Sequence, residues 1–226
     1  MSLQQTYLIH NNEYYPHYYL SLYRPVSAGK DGFSHSLLKF KEGRQPDLAG
    51  WIDCALELLG NAPIPGGTTM LRPLHHYETT ITTAPTALDL LGRALAAEYH
   101  LHYHPRLLQK KKTILPIKGL TRPQRKTRLR DLYSIDQDYA TSLYKGQQDS
   151  LLIIDDILTT GTTIKTIIDL LKRFYPKASL QIFTLARAEA DHQVQQPDAL
   201  KGQHYQLEQG MEWIAAEEPT GYFLPS

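Results

Sequence analysis

The spacing of apolar and polar positions changes twice along the chain, and each change marks a different kind of element. Over residues 1–32 the apolar positions alternate and are mostly aromatic, as in Tyr18-Tyr19-Leu20-Ser21-Leu22-Tyr23. A period of two with many tyrosines predicts strands, joined by turns at Asn11-Asn12 and Gly29-Lys30-Asp31-Gly32. The tyrosines can pack across strands or stack on nucleobases. From Asp47 to Leu59 the period lengthens. Leu48, Ile52, Ala55, Leu56 and Leu59 share one helical face, with Asp47 as the expected cap and Gly60 at the end.

From Thr68 short apolar runs alternate with helical text. Thr68–Leu71 predicts a strand ending at Arg72-Pro73, and Thr83-Ala84-Pro85 opens a helix that runs to about Tyr99. His100–His104 predicts another strand. Roughly 45 residues rich in Lys, Arg and Gln follow, with a helical turn expected at Arg122–Leu132. A connection of that length is usually functional or without fixed structure. Leu151-Leu152-Ile153-Ile154 is the bare apolar run of a strand buried on both faces. Thr163–Tyr175 predicts a helix with Ile164, Ile167, Ile168 and Leu171 on one side, stopped by Pro176, and Leu180–Leu185 a last strand. The expectation is an α/β fold, a central parallel sheet flanked by helices. Residues 1–32 form a small β-rich piece, 33–187 the main domain, and 188–226 a C-terminal extension packed on it.

Composition narrows the class. At 42% hydrophobic residues the 226-residue chain can bury a core. The single Cys54 excludes an internal disulfide and the paired thiolates of a structural zinc site. No apolar run approaches the ~20 residues that span a bilayer, and Met1–Thr6 is not a basic-then-apolar leader. A cytoplasmic location with no membrane partner is expected.

Charge is unevenly placed. Between Arg106 and Arg130 stand ten basic residues and no acid, leaving 14 basic against 23 acidic residues elsewhere. A cationic segment on an acidic body points to an anionic ligand.

The chemistry concentrates in Leu151-Leu152-Ile153-Ile154-Asp155-Asp156-Ile157-Leu158-Thr159-Thr160-Gly161-Thr162-Thr163. A buried strand delivers two adjacent carboxylates to the carboxyl edge of a parallel sheet, where α/β folds bind ligands. A turn of small hydroxylated residues around one glycine leads straight into a helix, and its backbone N–H groups make a phosphate cradle. Carboxylates would repel that phosphate, so they must face sugar hydroxyls or a magnesium ion. A phosphate beside a cis-diol describes a ribose 5-phosphate.

Over those thirteen positions the chain resembles the type I phosphoribosyltransferases. The resemblance implies phosphoribosyl pyrophosphate (PRPP) as substrate, a small nitrogenous acceptor, release of pyrophosphate, and magnesium (Mg2+) as cofactor. It implies Asp155 and Asp156 as the catalytic pair on the ribose hydroxyls and the metal. It places Thr159, Thr160, Gly161, Thr162 and Thr163 on the 5-phosphate. Phe33–Gly43, Pro116-Ile117-Lys118-Gly119-Leu120 with Arg122 and Arg125, and Leu185-Ala186-Arg187-Ala188 are similar to the competence protein ComF branch. In the family the loop after the Thr68–Leu71 strand holds pyrophosphate, which makes Arg72 and His75-His76 candidates, a solvated basic turn being the alternative. Lys110, Lys111, Lys112, Lys118, Arg122 and Arg125 stand where related enzymes carry a mobile hood.

Some positions depart from that branch. Its opening paired cysteines are represented by Cys54 alone, and its Arg-Gly-Phe-Asn-Gln element by Thr83-Ala84-Pro85-Thr86-Ala87. Ile117 replaces a Gln and Arg128 an Asn. Two functional readings therefore stand. One is a transferase. The other is a PRPP- or nucleotide-sensing or nucleic-acid-binding protein related to DNA uptake, which kept the cradle and lost transfer. His100, His102 and His104 would share one strand face, either as a metal site or as plain surface, and self-association into a homodimer is left open.

Overall fold

A computed structural model of the chain describes residues 1–24, 31–75, 78–79, 85–110, 132–136, 140 and 150–188. Strands β1 (Gln4–His10) and β2 (Glu13–Tyr23) form a hairpin whose two-residue turn is Asn11-Asn12, at φ 50 and 63. That left-handed pair matches the twist of the strands, and asparagine tolerates it. On its other edge β2 runs parallel to β8 (Ser179–Ala188), so the Tyr-rich strands extend the main sheet. The full order is β1-β2-β8-β7-β3-β4, with β7 at Ser150–Leu158, β3 at Thr69–Leu71 and β4 at His102–Tyr103. Every pairing except β1 with β2 is parallel.

Helices α1 (Gly32–Lys41), α2 (Asp47–Leu59) and α3 (Ala87–Tyr99) cover one face. Their Leu37, Phe40, Trp51, Leu91 and Leu95 pack with Met70, Leu152, Ile154 and Phe183 of the sheet. Helix α4 (Thr162–Phe174) covers the other face, with Ile164, Ile167, Ile168 and Leu171 against Leu151, Ile153 and Ile182. Leu151 to Ile154 are all fully buried because successive residues of β7 feed opposite layers. No helix among the described residues is long and apolar enough to cross a membrane.

Several expected boundaries shift, each for a local reason. Helix α2 spans the predicted residues, but Pro46 occupies its cap position and Asp47 is the first helical residue. The Asp47 carboxylate instead accepts the Ser36 hydroxyl, whose oxygen also accepts Trp51 Nε1–H at 3.1 Å, tying α1 to α2. Helix α3 begins at Ala87 and is capped by Thr86, not Thr83. Thr86 and Asp89 form a reciprocal capping box, whereas the residue three beyond Thr83 is a threonine with no carboxylate to return the bond. His100 ends α3 in the left-handed region (φ 53), and β4 is left with only His102 and Tyr103, so neither His100 nor His104 lies on the expected strand. The long connection expected after His104 carries a two-stranded antiparallel pair, β5 (Leu108–Lys110) with β6 (Tyr133–Ile135), packed on the α4 side. The helical turn expected at 122–132 lies outside the described residues except Leu132, as does the C-terminal extension beyond Ala188.

The connections set the site. From β3 the chain passes through α3 to β4, at one edge of the sheet. From β7 it passes through α4 to β8, in the opposite direction and over the opposite face. The carboxyl ends of β3 and β7 thus flank a topological switch point, where the diverging connections open a crevice.

Gly92 lets α3 lie close to that sheet: a Cβ there would stand 2.7 Å from the Tyr103 ring and 3.1 Å from Ile154. Tyr103 is held by a 2.8 Å hydrogen bond to Asp89 and cannot simply swing away. Gly92→Ala should lower stability by about 1–3 kcal/mol through overpacking. A denaturant midpoint equal to or above wild type would contradict this packing.

Candidate functional site

Strand β7 is paired unequally on its two sides. Its ladder with β3 stops at Leu71↔Ile153, while its ladder with β8 continues to Leu158↔Arg187. Asp155 and Asp156 follow where the β3 side has ended, so both reach the mouth of the crevice. Each carboxylate turns one oxygen back onto the next backbone N–H, Asp156 N to Asp155 Oδ1 at 2.9 Å and Ile157 N to Asp156 Oδ1 at 2.7 Å.

Their second oxygens differ. Asp156 Oδ2 lies 2.8 Å from Nζ of Lys41, the last residue of α1. Burial works against the Lys41 charge, but Asp156 and Asp155 outweigh it and hold the ammonium above its ordinary pKa. Asp155 Oδ2 has no hydrogen-bond partner among the described residues. Burial, and then the neighbouring Asp156 charge, push the Asp155 carboxyl up to about 7, with Lys41 and Arg72 acting in the opposite direction. Sequence reasoning missed Lys41. It lies inside the Phe33–Gly43 resemblance, but only the packing of α1 shows where its side chain ends.

After Leu158 the chain turns through the exposed Thr159 and Thr160 to Gly161 at φ 67. Glycine is required twice there, for the left-handed backbone and because a Cβ would come 2.9 Å from Leu8 of β1. Gly161 is the N-cap of α4, and no side chain caps the helix. Its first-turn N–H groups, those of Thr162 and Thr163 among them, have no intrahelical acceptor. Thr160 and Thr162 hydroxyls pair at 2.9 Å beside them. No acid stands in the first turn of α4, so its positive end faces outward uncompensated. The acid pair and the open helix end thus stand together at one sheet edge, as the sequence led us to expect.

Arg72 does not join them as a ligand. It is 1% exposed, and all five of its N–H donors are taken. Nε and Nη2 bind Asp89 at 2.7 and 2.8 Å, Nη1 and Nη2 bind Glu78 at 2.9 Å each, and Nη1 also donates to the Pro73 carbonyl. The expected pyrophosphate ligand is therefore a buried structural ion. Glu78, the acid that claims it, lies six residues on in an irregular loop where no periodicity announces it. Lys110, expected in an exposed basic hood, is also buried (5% exposed), with Nζ 2.6 Å from the Leu74 carbonyl. His75 remains half-buried in the loop after β3. His76, Lys111, Lys112, Lys118, Arg122 and Arg125 lie outside the described residues. His102 and His104 have ring centroids 6.4 Å apart, and no group of three or more His, Cys, Asp or Glu able to hold a metal occurs among the described residues.

Residues 109–222, about half of the chain, match the family model of the phosphoribosyl transferase domain. The chain belongs to that family. No curated protein matches it.

The Asp155 carboxyl generates a stability prediction. Its native pKa of about 7 exceeds the ordinary aspartate value of about 3.9, so the native state binds the extra proton between those limits. The stabilisation is complete below about pH 4 and is lost as pH rises to about 7. Relative to Asp155→Asn, the wild type should become steadily less stable across that window, measured by denaturant midpoints at several pH values. A difference that stays constant with pH would remove the assignment.

Proposed function

We propose that the chain binds PRPP and transfers its phosphoribosyl group to a nitrogen nucleophile, releasing pyrophosphate. The observation that carries the reading is the Asp155 oxygen, without a partner among the described residues, standing at the switch-point crevice beside the uncapped start of α4. In this reading the Thr159–Thr163 turn takes the 5-phosphate, and Asp155 with Asp156 takes the ribose hydroxyls. The C1–O bond breaks as the nitrogen attacks, and the pyrophosphate departs with the bonding electrons. Positioning and charge stabilisation suffice for such a step, which needs no protein nucleophile.

The carboxylates offer hard oxygen donors of the kind magnesium accepts, and Asp155 and Asp156 would hold it together with substrate oxygens. Bound there, Mg2+ would offset the charge gathering on the leaving pyrophosphate. Lys41 pairs with Asp156 and orients it on one side, which leaves Asp155 as the acceptor that meets the diol. The ComF-like branch, carried by the Phe33–Gly43 and Pro116–Leu120 text, is part of this proposal.

The loss of the branch's Arg at residues 83–87 favours a second reading, a PRPP or nucleotide sensor that binds without transfer. Calorimetry with PRPP and Mg2+ followed by a screen of nucleobases and ammonia for released pyrophosphate separates the two. Each hydrogen bond to a charged group contributes about 1.5–3 kcal/mol, so Asp156→Asn should weaken PRPP binding by roughly ten- to a hundredfold. Equal affinity in wild type and variant would sink the site. Binding without pyrophosphate release from any acceptor would favour the sensor.

A further inference from the structure

The geometry points to Lys110 as a positioning residue that shapes and neutralises the pyrophosphate-facing wall of the crevice. This inference rests on the PRPP reading. The 5-phosphate turn packs against Leu8 on β1, toward the β8–β2–β1 side of β7. In a ribose ring, C1 and C5 substituents lie on opposite flanks. A leaving group on C1 is then directed to the other neighbour of β7, which is β3 and the loop that follows it.

That loop is organised by one residue from another element. The Lys110 side chain donates to the carbonyls of Leu74 (2.6 Å) and His75, and its backbone N–H donates to Thr79 at 2.9 Å. Leu74, His75 and Thr79 of the loop are therefore fastened to the same residue of β5. Tyr133 of β6 reinforces it, with its hydroxyl 3.3 Å from the Leu74 carbonyl and its ring 5.5 Å from the ammonium. Between these ties Glu78 closes a turn, its N–H on the His75 carbonyl at 2.9 Å and its carboxylate on the His75 N–H.

The charges add a second reason. Arg72, Glu78, Asp89 and Lys110 are the buried charged residues among those described; Arg72 pairs with both carboxylates, and Lys110 stands close enough for the charges of Glu78 and Arg72 to act on its ammonium. Two carboxylates face two cations. Arg72 satisfies both acids geometrically, but only Lys110 brings the cluster to neutrality. Without that ammonium the wall would present a net negative charge to an arriving polyanion. Burial pulls the Lys110 pKa down to about 8, Glu78 opposing and Arg72 assisting the fall, so the cation is present at neutral pH.

The test compares two ligands that share the ribose phosphate end. Lys110→Met keeps the volume and removes the charge and donors. Calorimetry with Mg2+ should show PRPP affinity falling by about tenfold or more, with ribose 5-phosphate within about twofold of wild type. Lys110→Arg, which keeps a cation and several donors, should recover most of the PRPP affinity. A merely structural role would weaken both ligands alike or neither, and either result overturns the inference. If Lys110→Met does not fold by circular dichroism, Tyr133→Phe carries the test. It removes one donor to the Leu74 carbonyl and should weaken PRPP but not ribose 5-phosphate, equal effects again overturning the inference. A wild type that binds neither ligand rejects the substrate reading itself and this inference with it.

Discussion

The guanidinium of Arg72, locked between Glu78 and Asp89 with every donor used, is the contact on which one side of the crevice depends. Moving ions out of water costs several kcal/mol each, and only full pairing offsets it. Such a cluster adds little net stability, yet breaking any member leaves an uncompensated buried charge. Its members come from the end of β3, the following loop and the first turn of α3. Asp89 also returns the Thr86 cap and accepts Tyr103 Oη–H at 2.8 Å from β4. Four segments are thus held in one arrangement because no other pairs these charges.

The opposite side uses exposed backbone instead of buried ions. Strand β7 must pass through the core before it reaches the edge, so its first four apolar residues fix the height at which Asp155 and Asp156 emerge. Two adjacent carboxylates repel, and the fold answers by treating them differently. Lys41 reaches Asp156 from α1 at 2.8 Å, whereas Asp155 has one oxygen without a partner among the described residues and, through burial, a carboxyl pushed up to about 7. The result is one anchored acid and one available acid. The sequence shows an equivalent pair, and the inequality arises from tertiary packing.

That difference marks where sequence reasoning stops. The α/β alternation, the limits of α2, the buried β7 and the turn at Gly161 were legible because each rests on period or on a local backbone need. The cap of α3 was misplaced by three residues, since two threonines compete and only Asp89 decides between them. Strands β5 and β6 were illegible as three-residue pieces whose pairing is entirely non-local. Arg72 and Lys110 were read as ligand-facing because positive charge in a loop normally seeks an anion. In this fold Arg72 binds Glu78 and Asp89 and Lys110 binds the Leu74 and His75 carbonyls, and neither spacing nor composition assigns such partners.

The family match begins at Gln109, yet most of what shapes the crevice lies before it. Leu8 underlies Gly161 at the start of α4, and the tip of the same hairpin pins α4 through His10 and Asn11 on Asp169, at 2.7 and 3.0 Å. Lys41 sets the acid pair, and the Arg72 cluster sets the wall opposite. The signature from Leu151 to Thr163 can specify a strand, two acids and a turn, because those are local. It cannot specify how far the turn leans, which acid is paired with a lysine, or what charge gathers at the loop after β3. Those properties depend on residues earlier in the chain, Leu8, Lys41 and Arg72 among them.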